Sequence, residues 1–290
     1  VVLVSRAPFA VIAASPGHAE AAGRFHLPGL LPIIALRARG ERPFGIAPGR
    51  AAIRAWGGDM KELLLVPALG CDARLYGEIA PHLDALIRTQ TIIPDRDSFA
   101  GCVEQLLAAA PDRFVVLGTS FGGRVALETV LAAPERVEGL IVIGSTPGPL
   151  ADPVAGRRRS ERLRGGEFEA VVREMADIIT HRPGPNGEKA RELFIAMART
   201  QGSALMARQS DALAGRVDRW PRLAGIACPA LMLWGRHDQF APAAEGLRMA
   251  AAVPRGRFVE IADCGHLPTL EAPMEAFDAI THWLVDSGLA

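Results

Sequence analysis

From Met60 onward, short apolar runs alternate with stretches whose apolar residues recur at helical spacing. A short apolar run bounded by turn residues predicts a buried strand, and a 3.6-residue period predicts an amphipathic helix. On that reading Leu63–Val66, Thr91–Ile93, Phe114–Leu117, Leu140–Ile143, Ala230–Trp234 and Phe258–Ile261 are strands. Ala73–Leu86, Ser98–Ala110, Gly123–Leu131, Ala243–Ala252 and Glu271–Val285 are helices, with a break expected at Pro81 and an N-cap at Ser98. Strands that alternate with helices need crossover connections, so the class is α/β, a mostly parallel central sheet flanked by helices.

Between Pro147 and Leu223 the strand signal disappears. "RRRSERLRGGEFEAVVREMADIITH" and "EKARELFIAMARTQGSALMARQSDAL" read as helices, separated by the loop "HRPGPNGEK". The expected organisation is a core of residues 60–147 and 223–290 with a helical cap at 148–222. The cap's expected inward face is Phe168, Val171, Val172, Met175, Ile178 and Ile179. Residues 1–59 are rich in Arg, Ala, Gly and Pro, lack Lys, and show neither period. A secretory signal, a folded extension and a poorly structured leader are all open readings. The leader is adopted, because "VVLV" precedes the first Arg where a signal would place its basic residues.

Composition narrows the function. Thirty-two basic and 32 acidic residues give no net charge, and no segment carries the basic excess expected of a nucleic-acid or membrane-surface binder. No apolar run approaches the ~18 residues of a membrane span. Cys71, Cys102, Cys228 and Cys264 have no CxxC spacing, which suits reduced thiols in a cytoplasmic protein and no metal site.

The chemistry concentrates in "VVLGTSFGGRVALETV". A strand that turns sharply into a helix needs small neighbours, and Gly118, Gly122 and Gly123 supply them around Ser120. The turn would expose the Ser120 hydroxyl at the C-terminal edge of the sheet, at the positive end of the following helix. An ordinary Gly-rich turn is the alternative. A serine nucleophile needs a base, usually a His oriented by a carboxylate. In folds with this elbow, acid and base follow the serine along the chain. His266, in "ADCGHLPTLEAP" after the last strand, is the expected base, with His237 second; His181 lies in the insertion and His282 in the final helix. Asp238, in "ALMLWGRHDQFAP", is the expected acid; the preceding strand ends "IVIGSTPGP" and offers no carboxylate before Asp152. The backbone N–H groups of Phe121 and of Leu69, in the loop after the first strand, are the expected oxyanion donors.

"GTSFGG", "WGRHDQFAP" and "CGHLPTLEAP" resemble the α/β-hydrolase superfamily, and in particular bacterial 3-oxoadipate enol-lactonases and carboxylesterases. The resemblance runs from Met60 to the C-terminus. It departs at Pro67-Ala68, where relatives usually have Gly at the second position and often His at the first; an Ala would be strained there if that position required a positive φ. The resemblance implies a serine hydrolase of the carboxylic ester type, using Ser120, Asp238 and His266 without a cofactor or metal. Its substrate would be a small ester, thioester or lactone, cleaved through an acyl-enzyme. C–C bond hydrolysis, acyl transfer or elimination with the same triad is the alternative, and a non-enzymatic ligand receptor is a third reading. A carboxylate-bearing substrate would call for an Arg over Ser120; Arg124, Arg199 and Arg208 are candidates, each also readable as a surface charge.

Overall fold

A computed structural model describes residues 60–150 and 152–290, apart from the side chain of Pro153. The leader expected at 1–59 lies outside the described residues. Six strands form one parallel sheet, β1 (Glu62–Val66), β2 (Arg88–Thr91), β3 (Phe114–Thr119), β4 (Val137–Ile143), β5 (Ala230–Gly235) and β6 (Gly256–Ile261), in the order β2-β1-β3-β4-β5-β6. β1, β3 and β5 are almost continuously apolar because helices cover both faces of the sheet. The order reverses between β1 and β3, and sheets of this kind place their sites beyond the strand C-termini at such a reversal.

The covering helices in the core are α1 (Ala80–Leu83), α2 (Phe99–Ala109) and α3 (Phe121–Ala132). Ser98 caps α2, its hydroxyl accepting the Gly101 N–H. Between β4 and β5 the chain forms α4 (Pro153–Arg164), α5 (Phe168–Ile179) and α6 (Gly187–Ala214), then a 3-10 turn at Trp220–Gly225. The core closes with α7 (Ala243–Ala252), α8 (Pro268–Glu271) and α9 (Pro273–Asp286).

Several expectations are corrected. The second strand is Arg88–Thr91 rather than Thr91–Ile93. As an edge strand it pairs only with β1, so its residues Arg-Thr-Gln-Thr carry no hydrophobic signal. The helix expected over 73–86 is a 3-10 turn (Ala73–Tyr76) followed by α1, with Pro81 in the first turn of α1, where its missing N–H costs nothing. The last helix starts at Pro273, and a separate single turn, α8, precedes it across Ala272 (φ −143°, ψ 61°). The insertion's first helix divides into α4 and α5 at Gly165 and Gly166, and Gly202 (φ 79°) breaks α6.

On α5, Val171, Val172, Ala176 and Ile179 are buried, and Phe168 and Met175 pack against them. Ile178 is exposed, contrary to expectation. It stands about 100° around the helix from Ile179, which takes it off the buried stripe.

Candidate active site

Ser120 is the only non-glycine among the described residues with a positive φ (54°, ψ −112°). That backbone conformation is normally glycine's, and an L-residue persists in it only when its surroundings impose it. The surroundings are visible. A Cβ on Gly118 would lie 2.0 Å from Gly122 O, and a Cβ on Gly122 would lie 1.9 Å from Val66 O and 2.6 Å from Pro67 O. One on Gly123 would lie 2.7 Å from the Ser145 Cβ. These glycines let β3, α3 and the loop after β1 close on one another around the hydroxyl.

Behind the turn, the chain's single tyrosine secures the strand ends. The buried Tyr76 hydroxyl donates to Val66 O at 2.7 Å and lies 3.0 Å from Thr119 Oγ1.

Asp238 and His266, the expected acid and base, lie in the loops after β5 and β6. His266 Nδ1 donates to Asp238 Oδ2 at 2.7 Å, and both side chains are buried. The other Asp238 oxygen accepts the Phe240 and Ala241 N–H groups at 2.8 and 2.9 Å. Both carboxylate oxygens are therefore occupied and the His266 ring is held in one orientation. Gly235 lets the two loops meet, since a Cβ there would lie 2.0 Å from Gly265 O.

The end of β4 joins this pair to the serine. Ser120 N–H donates to Ile143 O at 2.7 Å. A Cβ on the next residue, Gly144, would lie 3.0 Å from His266 Nδ1 and 3.3 Å from Asp238 Oδ2. Consecutive Cα atoms are ~3.8 Å apart, so the Ser120 backbone and the Asp238–His266 pair both lie against the same short piece of backbone, Ile143–Gly144. His266 Nε2 is buried and has no hydrogen-bond partner among the described residues. An apo site often shows its nucleophile and base not yet bonded.

His237 is exposed and stacks on His181, with ring centroids 3.9 Å apart, so neither takes the place beside Asp238. His282 is exposed on α9. Among the described residues, neither the Leu69 nor the Phe121 N–H meets a protein acceptor. Ala68 does not have a positive φ; Gly70 (φ 73°) takes the left-handed position in that loop, so the strain considered at Ala68 does not arise.

The three arginines considered for a substrate carboxylate are each engaged with the protein itself. Arg199 forms an exposed pair with Glu169, and Arg208 donates to Asp95 O at 2.6 Å. Arg124 is fully buried rather than on the surface; it pairs with Glu128 one turn along α3 and ties that helix to the Pro147 and Gly148 carbonyls.

Three contributors escaped sequence reasoning. Buried Glu271 accepts the Gly265 and Leu267 N–H groups, on either side of His266, at 2.9 Å each, and the His181 N–H at 2.7 Å. Its one sequence signal was a carboxylate in the otherwise uncharged "LPTLEAP". Buried Gln209 of α6 accepts the Gly70 N–H at 2.9 Å and donates to Pro94 O at 2.9 Å, fixing the loop that carries Leu69. Gly144 gave no signal of its own.

Burial alone would lower the His266 pKa, but the Asp238 charge and hydrogen bond, with the Glu271 charge, outweigh it and raise the value above 6.5. If His266 acts as a base, kcat/KM should rise with pH through an inflection above 6.5. The stability that the protonated ring contributes should be present at low pH and lost as pH rises through that same value. A pH–rate profile and melting curves between pH 5 and 9 check both; an inflection at or below 6.5 contradicts the reading.

Among the described residues no cluster of three or more His, Cys, Asp or Glu could hold a metal ion, and no helix is long and apolar enough to cross a membrane.

The geometry has clear relatives. The sequence is 28% identical over 234 residues to the pimeloyl-[acyl-carrier protein] methyl ester esterase of Edwardsiella ictaluri, covering 75% of this chain and 90% of that protein. It is 27% identical over 166 residues to 2-hydroxy-6-oxononadienedioate/2-hydroxy-6-oxononatrienedioate hydrolase 1 of Pseudomonas putida, covering 53% of this chain and 57% of that one. A thermophilic esterase from Thermogutta terrifontis superposes with a TM-score of 0.72 at 25% identity, covering 79% of this chain and 91% of the esterase. The enol-lactonase of Burkholderia xenovorans LB400 shares the fold, with a TM-score of 0.71 at 18% identity over 79% of this chain and 93% of its own. The sequence profile of the alpha/beta hydrolase family matches residues 63–280, and the chain belongs to that family.

Proposed function

We propose that the protein is a cofactor-free serine hydrolase that cleaves a small carboxylic ester, thioester or lactone through an acyl-enzyme. The observation that carries this is the buried Asp238–His266 bond with its unpartnered Nε2, held against the same Ile143–Gly144 backbone that the strained Ser120 bonds.

In this reading His266 Nε2 takes the Ser120 hydroxyl proton as Oγ attacks the carbonyl carbon. The Leu69 and Phe121 N–H groups receive the developing oxyanion. His266 returns the proton to the leaving oxygen or sulfur, and water then repeats the sequence on the acyl-enzyme. Asp238 keeps the His266 proton on Nδ1 and stabilises the imidazolium. The helices of residues 148–222 act as a cap that shapes the acyl pocket. Ester cleavage is favoured over C–C cleavage because the esterase likeness extends over 75% of the chain and the C–C hydrolase likeness over 53%.

A fluorophosphonate probe followed by peptide mapping, and a panel of p-nitrophenyl esters, lactones and a vinylogous 1,5-diketone, test the reading. Labelling of Ser120 and turnover of an ester or lactone are expected. Labelling elsewhere, or turnover confined to the diketone, contradicts it.

A further inference from the structure

Where the insertion joins the core, Arg124, Arg159, Arg216 and Arg219 gather, with Glu128 paired to two of them and Asp218 acting on Arg124. Arg124 pairs with Glu128 at 2.8 Å, and Arg219 takes the same carboxylate at 2.9 Å, so Glu128 is already shared. Two further guanidiniums stand beside this group. Arg159 of α4 donates from Nε to Ser210 Oγ of α6 at 3.0 Å. Arg216, just beyond α6, donates from Nη2 to Pro149 O at 3.1 Å.

Each has a nitrogen left over. Arg159 Nη2 and Arg216 Nε are sealed from water and have no hydrogen-bond partner among the described residues. No carboxylate among the described residues forms an ion pair with either side chain.

The two side chains share one locality. A Cβ on Gly156, one turn before Arg159, would lie 3.2 Å from the Ala214 Cβ and 2.8 Å from Leu150 Cδ2. Ser210 is one turn before Ala214, and Arg216 follows two residues after it. Burial, then the charges of Arg124 and Arg159, push the Arg216 guanidinium down to about 10, and burial lowers that of Arg159.

A sealed N–H without an acceptor is unfavourable, and so is a half-buried charge without a counter-charge. One anion corrects both, and the planar guanidinium fork matches carboxylate and phosphate oxygens. We propose that Arg159 and Arg216, backed by Arg124, form a binding site for a small anionic group, a carboxylate or phosphate, at the junction of insertion and core. The site shares two elements with the proposed catalytic machinery, α6 and α3. Gln209, next to Ser210, holds the Gly70 N–H, and the Arg124 N–H donates to Ser120 O at 3.0 Å. The anion is either free or the distal acid group of a substrate; only the second source rests on the esterase reading.

The binding arm uses full-length Ser120→Ala protein, titrated with sodium glutarate and with sodium phosphate against sodium chloride at equal ionic strength. A rise in Tm is expected, with apparent affinity about tenfold weaker in Arg159→Gln and in Arg216→Gln. Should either glutamine variant fail to fold, Arg→Lys at the same position keeps the charge, removes the fork, and should also weaken the response. The kinetic arm compares kcat/KM for monomethyl glutarate and methyl butyrate in the parent and in both variants. A preference for the acidic ester that falls about tenfold in the variants assigns the site to the substrate's own acid group. A Tm response without such a preference assigns it to a free anion. No Tm response in the parent, or one unchanged in the variants, overturns the site. Absence of all ester turnover would overturn the esterase reading and leave the binding arm readable.

Discussion

Ser120→Ala is expected to reduce ester turnover by ~10⁴-fold or more while leaving the protein folded. The substitution keeps the Cβ, so the backbone at φ 54° is no more strained than before, and it removes a hydroxyl that caps no N–H of α3. In the proposed mechanism, what disappears is the atom that would form the acyl-enzyme. The oxyanion donors and the substrate contacts remain, and they account for the residual rate. Ser120→Gly provides a second reading of the same position. It removes the hydroxyl and the strain together, so it should be equally inactive yet melt above Ser120→Ala. Steady-state kinetics and thermal melts of the two variants decide the matter. Near-normal turnover in Ser120→Ala, with the fluorophosphonate probe attached to another residue, would remove Ser120 from the mechanism.

Asp238→Asn should lower kcat by ~10³- to 10⁴-fold, again without unfolding the protein. An asparagine amide oxygen can still accept the Phe240 and Ala241 N–H groups that now bond to Oδ1. Its amino group then faces His266 Nδ1, where a carboxylate oxygen accepts today at 2.7 Å. Facing a donor, Nδ1 must become the acceptor, and the ring proton moves to Nε2. That tautomer cannot take a proton from Ser120. The charge that raises the His266 pKa is lost as well, and burial, which opposes it, is left in place. The His266 pKa should therefore drop below 6.5, measurable by NMR titration of the imidazole. An Asn variant with normal kcat and an unmoved His266 pKa would show that Asp238 only braces its loop.

Local chemistry explains which features could be read from the chain. The elbow was legible because its requirements are satisfied within six residues, Gly118 to Gly123, between an apolar strand and a helix. β1, β3, β4 and β5 were legible because an interior strand covered on both faces is apolar along most of its length, and β6, although an edge strand, keeps the apolar residues Phe258, Val259 and Ile261. β2 was misplaced for the converse reason: an edge strand held by backbone hydrogen bonds needs no hydrophobic residues, and the apolar pair Ile92-Ile93 drew the expectation past its end.

By itself, then, the sequence determined the α/β class, the strained serine turn, and the loops carrying Asp238 and His266. Only the tertiary structure decided that Asp238 bonds His266 while the neighbouring His237 turns outward to stack on His181. It alone decided that Arg124 is a buried tie and not a surface charge, and that Glu271, Gln209 and Gly144 hold the loops around the site. The Gln209–Gly70 bond spans 139 positions and the Glu271–His181 bond spans 90. Periodicity and turn chemistry act over one or two helical turns. A hydrogen bond between distant segments leaves no periodic trace in either, because it depends on which loops the packed sheet and helices bring within 3 Å of one another.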